Sequence, residues 1–155
     1  NNCRVMKMTK NEVLAKQSII SHIMLKRGNE ELSKELKVKV MNMRVILGKV
    51  RREFDEDLKE VAEQLQTSEF IELRDKQDKT EEEEKAFKEL LDKINDEYNS
   101  FIIEKGKEEI EFDKKFTEDE YSEILQVNAD NDVEINGSKI SAPDFLEVIY
   151  NLFVL

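Results

Sequence analysis

Apolar residues fall at Leu36, Val40, Met43, Leu47, Val50, Phe54, Leu58, Val61 and Leu65, an unbroken ladder of three- and four-residue steps. Such steps keep side chains on one stripe of an α-helix. A second ladder, Phe87, Leu91, Ile94, Tyr98 and Phe101, answers it after a polar interval. Together they predict a long antiparallel α-helical hairpin, coiled-coil-like, over residues 29–107, with its first arm starting at Asn29 or Ser33 and ending near Gln66. In the middle of that arm Val38, Met41, Val45 and Ile46 flank the ladder. The widened stripe predicts contact with two neighbours, an N-terminal helix and the returning arm. Gly48 sits inside it at a cost of about 1 kcal/mol relative to alanine. Close approach of another backbone would account for it, and so would a merely tolerated glycine.

Local signals divide the remainder. Thr9-Lys10-Asn11-Glu12 has the form of a capping box, so a first helix is expected over 9–27, with Val13, Ile20, Ile23 and Met24 inward and Gly28 as its stop. Residues 67–79, carrying Phe70, Ile71 and Leu73, read as a loop with an apolar anchor at the hairpin tip. Thr80-Glu81-Glu82-Glu83 opens the returning helix, whose acidic start at 81–84 suits the positive end of a helix dipole. Residues 108–115 alternate as a short strand would, with Ile110 and Phe112 on one side. Phe116-Thr117-Glu118-Asp119-Glu120-Tyr121 combines a third capping box with a hydrophobic staple, starting a helix that reaches about Leu125. Asn136-Gly137 between two alternating segments predicts a β-hairpin near 133–140, because a type I′ turn needs positive φ at both central residues. Ser141-Ala142-Pro143 then caps a terminal helix with Phe145, Leu146, Ile149, Leu152 and Phe153. The expected fold is mainly α, a single domain over 1–155: a leader at 1–8, where Met6 and Met8 are both candidate starts, a first helix packed on the hairpin, and a small α+β cap at 108–155 comprising the C-terminal β-hairpin and terminal helix.

Charge changes the picture of the hairpin. Residues 1–52 carry 13 Lys/Arg against 4 Asp/Glu, a local +9, and residues 53–155 carry 12 against 32, a local −20. Two antiparallel arms of opposite sign would neutralise each other; otherwise the basic end meets phosphates, or the acidic end docks on a basic partner or imitates nucleic acid. With 39% charged and 39% hydrophobic residues, helices with one buried face fit better than a multilayer core. Cys3 is the single cysteine and cannot form an internal disulfide, and no charged segment with a following apolar run opens the chain, which implies a reducing compartment. No run approaches the roughly 18 uncharged residues of a membrane span; the best, at 18–25, is far too short.

Reactive chemistry finds little purchase. Asn128-Ala129-Asp130-Asn131-Asp132 starts like a calcium loop, but Val133 stands where a glycine is required and Lys139 where a bidentate glutamate is required. Four consecutive glutamates at 81–84 point around a helix and cannot converge on one ion. His22 is the only histidine, which removes multi-histidine zinc sites and histidine-based triads within one chain, and its spacing places it on a helix surface. The four glycines are scattered, so no loop cradles phosphate. Neither catalytic residues, nor a metal site, nor a cofactor is expected. Lys34, Lys37, Lys39, Arg44, Lys49, Arg51 and Arg52 could meet phosphates, but lack interleaved aromatics and a recognition motif. As partner-binding residues, the tip trio Phe70, Ile71 and Leu73 and the terminal-helix trio Phe145, Ile149 and Phe153 are the candidates.

The opening Asn11-Glu12-Val13-Leu14-Ala15-Lys16-Gln17, the basic Lys37-Val38-Lys39-Val40-Met41-Asn42-Met43-Arg44, the acidic returning helix and the late segment 135–149 resemble, over most of 8–153, a family encoded among the structural genes of tailed bacteriophages and known as a domain of unknown function. Members often have a longer polar insert between the arms, where this chain is compact. The resemblance carries no catalytic residues. It implies a non-enzymatic virion or assembly protein in the virion or host cytoplasm, partnered by other phage proteins or copies of itself. The alternative is an acidic phage-encoded inhibitor, a DNA mimic that binds a basic host protein.

Overall fold

The computed structural model describes residues 7–154, so Cys3 and Met6 lie outside the described residues. Their elements run β1 (Lys7–Thr9), α1 (Lys10–Ile20), β2 (Lys26–Arg27), β3 (Glu30–Glu31), α2 (Lys34–Leu65), α3 (Ser68–Asp75), α4 (Glu81–Lys107), β4 (Glu109–Glu111), α5 (Glu118–Asn128), β5 (Val133–Ile135), β6 (Ser138–Ile140) and α6 (Ala142–Phe153). The protein is mainly α, with the strands paired two by two as small antiparallel ribbons. It divides into two compact units, one drawn from Asn1–Arg51 and Glu109–Leu155, the other formed by Arg52–Glu108. Helix α2 gives residues 34–51 to the first and 52–65 to the second.

The first unit is organised on the ladder. Leu36, Val40, Met43 and Leu47 are buried together with Val13, Ile20, Ile23, Ile124, Phe145, Ile149 and Phe153. Ser33 caps α2, its hydroxyl accepting from the Leu36 amide at 3.3 Å. Strands β1 and β4 pair antiparallel with Met8 opposite Ile110, so part of the expected leader is structural and supplies the partner of the 108–115 strand. The Asn136-Gly137 turn forms as expected, with φ of 52° and 80°, and registers Val133 opposite Ile140.

Helix α1 stops seven residues before the expected end. The Ser18 and Ser21 hydroxyls donate to the carbonyls of Leu14 and Ser18. Arg44 donates to the Ile20 and Ile23 carbonyls, while Asn128 accepts from the Met24 amide at 2.9 Å and donates to its carbonyl at 3.2 Å. Partners distant in sequence thus take the backbone groups that another helical turn would have used. Gly28, with φ +60°, turns the β2–β3 ribbon, in which Lys26 faces Glu31 and Arg27 faces Glu30.

In the second unit the ladders pair as an antiparallel hairpin, and α2, at Lys34–Leu65, runs over almost the whole range expected of the first arm. Asp57 on α2 meets Lys105 near the end of α4 at 2.7 Å, and Ala62 and Gln66 share a cavity with Tyr98, Asn95, Ile94 and Leu91. The tip is helical, not a loop: Thr67 caps α3, accepting from the Phe70 amide at 3.2 Å, and Phe70 stacks on Phe87 with centroids 5.3 Å apart. Thr80 and Glu83 form the complete capping box of α4. Leu58, Val61, Leu65, Leu91, Ile94 and Tyr98 are half-buried, the result expected where two helices meet without a third layer.

The expected neutralisation of a basic arm by an acidic arm is not what forms. The Asp57–Lys105 pair places the acid on α2 and the base on α4. Basic residues of the first half of α2 find partners inside their own unit: Lys37 pairs with Glu31, Lys39 with Glu120 at 2.7 Å, and Arg51 binds Gln17, Ser18 and the Leu14 carbonyl.

Candidate contact surface

The terminal-helix candidates are core residues. Phe145, Ile149 and Phe153 are fully buried, and Phe153 packs against the Phe116 ring at 5.8 Å. The apolar face of α6, which had to be buried either against the base of the hairpin or in a partner, belongs to the core cluster that also holds residues of α1, α5 and the first half of α2. Lys16 crosses to this face, donating to the Leu152 carbonyl with its ammonium 4.9 Å from the centre of the Phe153 ring. Burial lowers the pKa of this amine, Glu12 opposes the shift and Lys115 adds to it. The staple residues likewise turn to α6: Phe116 meets Phe153, and Tyr121 sits edge-on to Tyr150 at 5.1 Å.

The tip trio separates. Phe70 is buried against Phe87, Leu73 is half-buried beside Ala86, and Ile71 alone is exposed. Below them the Glu83 carboxyl is lowered to about 2 by the Lys76 ammonium and the Thr80 amide. The seven basic candidates also diverge: Arg44 and Arg51 are engaged with backbone and side-chain oxygens, Lys37 and Lys39 are ion-paired, and Lys34, Lys49 and Arg52 are exposed, Lys49 with an interaction of its own within the chain.

The acidic loop at 128–132 is a clamp. Asn128 is fully buried and makes four hydrogen bonds, to the Met24 amide and carbonyl, the Ile124 carbonyl and the Asn131 side chain, while Asn131 also donates to the His22 carbonyl at 3.0 Å. Of the residues that suggested calcium ligands, Asn128 holds Met24 against α5, and the Asp132 carboxylate accepts from the Ala142 amide at 2.8 Å. Among the described residues no group of three or more His, Cys, Asp or Glu side chains converges on a metal-sized site.

What remains exposed is a stripe that the pattern had placed inside. Val38, Met41 and Val45 are 53%, 43% and 67% exposed, and Ile46 is 40% exposed. At about 100° per residue they do not widen the ladder. Val38, Met41 and Val45 lie opposite Leu36, Val40, Met43 and Leu47, and that angle was the available signal. Lys34 stands one turn before Val38 and Lys49 one turn after Val45. Nothing lies within 4 Å of where a Gly48 Cβ would stand, so no backbone of this chain explains that glycine.

A second apolar surface was not anticipated. Tyr121, Leu125, Pro143, Leu146 and Tyr150 line an open groove of about 670 Å³ between α5 and α6. Both tyrosine hydroxyls are engaged, Tyr121 donating to the Leu146 carbonyl at 2.7 Å and Tyr150 to the Glu118 carboxylate at 2.9 Å, so the rings are fixed with their apolar surface along the groove. Burial raises the Tyr121 pKa and the Glu118 hydrogen bond raises that of Tyr150. Glu147 lies in the lining, which contains no lysine or arginine.

No protein-family model, curated protein or solved structure matches the chain. Among the described residues no helix is long and apolar enough to cross a membrane.

Proposed function

We propose that the protein is a non-enzymatic bacteriophage structural or assembly protein that works through helix-mediated contacts with other phage proteins or with copies of itself. The observation that carries this reading is the exposed stripe Val38, Met41 and Val45 on a helix whose opposite face is fully buried. Contiguous exposed apolar patches, when they are large, mark interaction surfaces. The resemblance of segments 11–17, 37–44 and 135–149 to a family encoded among phage structural genes supplies the setting. Immunoblots of gradient-purified particles and assembly intermediates test it: the protein is expected to co-sediment with one of them, and its absence from both overturns the reading.

A second reading, an acidic inhibitor that imitates DNA and binds a basic host protein, draws on the exposed carboxylates along α4, among them Glu81, Glu82, Glu84, Glu89, Asp92 and Asp96. It predicts salt-sensitive capture of a host nuclease or polymerase in place of particle proteins.

A further inference from the structure

The groove between α5 and α6 holds two polar side chains that no other described residue engages. Its tyrosine hydroxyls donate to the Leu146 carbonyl and the Glu118 carboxylate, and the Ser122 hydroxyl donates to the Glu118 carbonyl at 3.1 Å. Gln126 on α5 and Glu147 on α6 are exposed and make no hydrogen bond or ion pair with other described residues. The surrounding charge is of one sign. Helix α5 carries Glu118, Asp119, Glu120 and Glu123, helix α6 carries Asp144 and Glu147, and neither has a lysine or arginine. Glu118, Glu120 and Glu123 are engaged by Tyr150, Lys39 and Ser33, and among the described residues of the lining Glu147 alone is charged. Burial, Tyr150, Glu147 and Glu118 together raise the Tyr121 pKa, which puts the Glu147 charge beside that tyrosine.

The groove runs beside residues 121–129, about 12 Å of chain at helical rise, and is open along its length. Drug-sized ligands are held in clefts that bury most of their surface. An open trough two turns long instead suits a helix, whose apolar side chains at i, i+4 and i+7 pack as ridges into grooves. A wholly apolar helix would strip water from the Glu147 carboxylate and leave the charge without a partner, and an acidic one would repel it. A cation carried beside the apolar ridge removes both penalties.

We propose that the α5–α6 groove receives an amphipathic helix of another protein, its apolar ridge seated between Leu125 and Leu146 and a lysine or arginine directed to Glu147. The inference deepens, and rests on, the reading of the protein as one that works through helix contacts. A cation at Glu147 also comes near the Tyr121 ring, whose π system attracts positive charge. A second copy is the poorer occupant, because around its own α2 stripe Lys37, Arg44 and Lys49 already have partners within the chain.

Two synthetic alanine-based helices with leucine at i, i+4 and i+7, one flanked by arginines and the other by glutamates, are titrated into the whole chain and followed by NMR. The arginine peptide is expected to shift amides of α5 and α6, to bind about fivefold or more tighter than the glutamate peptide, and to weaken with salt. Glu147→Lys is expected to reverse the preference, Leu125→Arg to abolish binding and Val45→Glu to leave it unchanged, with circular dichroism checking that each variant is folded. Four results overturn the proposal: no binding, equal binding of the two peptides, binding that Val45→Glu removes, or a wild type that self-associates and is made monomeric by Leu125→Arg. Immunoblots of particles and assembly intermediates keep the two readings apart. A wild type found in them whose groove ignores peptide charge overturns this inference alone. A wild type that prefers the arginine peptide but is absent from both overturns the function and leaves the groove's ligand class standing.

Discussion

Replacing Asn128 with alanine removes a side chain that is fully buried and makes four hydrogen bonds. The Ile124 carbonyl remains within the α5 ladder and the Asn131 amide keeps the His22 carbonyl, so two groups are stranded, the N–H and C=O of Met24. Each stranded group costs roughly 1–3 kcal/mol, less whatever water recovers at a half-buried residue, giving a loss of about 2–5 kcal/mol. Against a typical total of roughly 5–15 kcal/mol this is severe. With a urea slope near 2 kcal/mol per molar, a loss of 3 kcal/mol moves the midpoint down by about 1.5 M. Asn128→Asp keeps the acceptor but loses the donor to the Met24 and Ile124 carbonyls. It is expected to be as damaging at neutral pH and to recover partly in acid, where the protonated carboxyl can donate. Hydrogen exchange supplies the local reading: the Met24 amide loses protection in Asn128→Ala and keeps more of it in Asn128→Asp, whose carboxylate can still accept from it. A midpoint shift equivalent to less than about 1 kcal/mol, with an unchanged slope and a protected Met24 amide, would refute the account of 128–131 as a clamp.

Phe153→Ala empties a fully buried site in contact with Phe116 and Lys16 and is expected to cost about 3–5 kcal/mol in chemical denaturation, whereas a surface role for Phe153 predicts almost no change. Gly48→Ala meets open space in a helix and should stabilise the protein by about 1 kcal/mol; destabilisation would reveal a neighbour where none stands. The Glu83 side chain, followed by carbon-detected NMR, should titrate near 2, below its ordinary 4.5, and move up in Lys76→Ala. Because its folded pKa is depressed, the stabilisation it supplies is present above about 4.5 and is lost as the pH falls towards 2; titration at the ordinary value would remove the Lys76–Glu83 contact from the tip.

Signals carried by a few adjacent residues were legible in the sequence. The Thr80 and Thr117 capping boxes, the Asn136-Gly137 turn and the Ser141 cap formed where their spacing put them, because each is satisfied by atoms within four residues. Periodicity identified the buried ladder from Leu36 to Phe54. It failed where partners come from far along the chain: α1 ends at Ile20 because Asn128, Asn131 and Arg44 claim the next backbone groups, and nothing in residues 9–27 announces that. The tip helix has a local signal, Thr67 as cap with Phe70 and Leu73 on one face, but at eight residues it is too short to show a helical period. The contact surface was misread for a geometric reason. Val38, Met41 and Val45 follow helical spacing as faithfully as the core does, and only their angle to Leu36 and Leu47 separates them from it. The α5–α6 groove joins residues from two helices and had no local signature.

The first unit is discontinuous in sequence, and that fixes the order in which a growing chain can complete it. The Lys16 ammonium binds a carbonyl 136 residues later, and the Met24 amide waits for a side chain 104 residues away. When 7–51 have left the ribosome, the inner faces of α1 and α2 have no α6 to cover them, and Phe145, Ile149 and Phe153 are still to be made. Residues 52–108 carry both partners of their own hairpin and can pair during that interval. Val13, Ile20 and Leu36 therefore remain uncovered through most of synthesis, and a nascent chain stalled before residue 142 should be sensitive to protease between α1 and α2 while α3 and α4 are already protected.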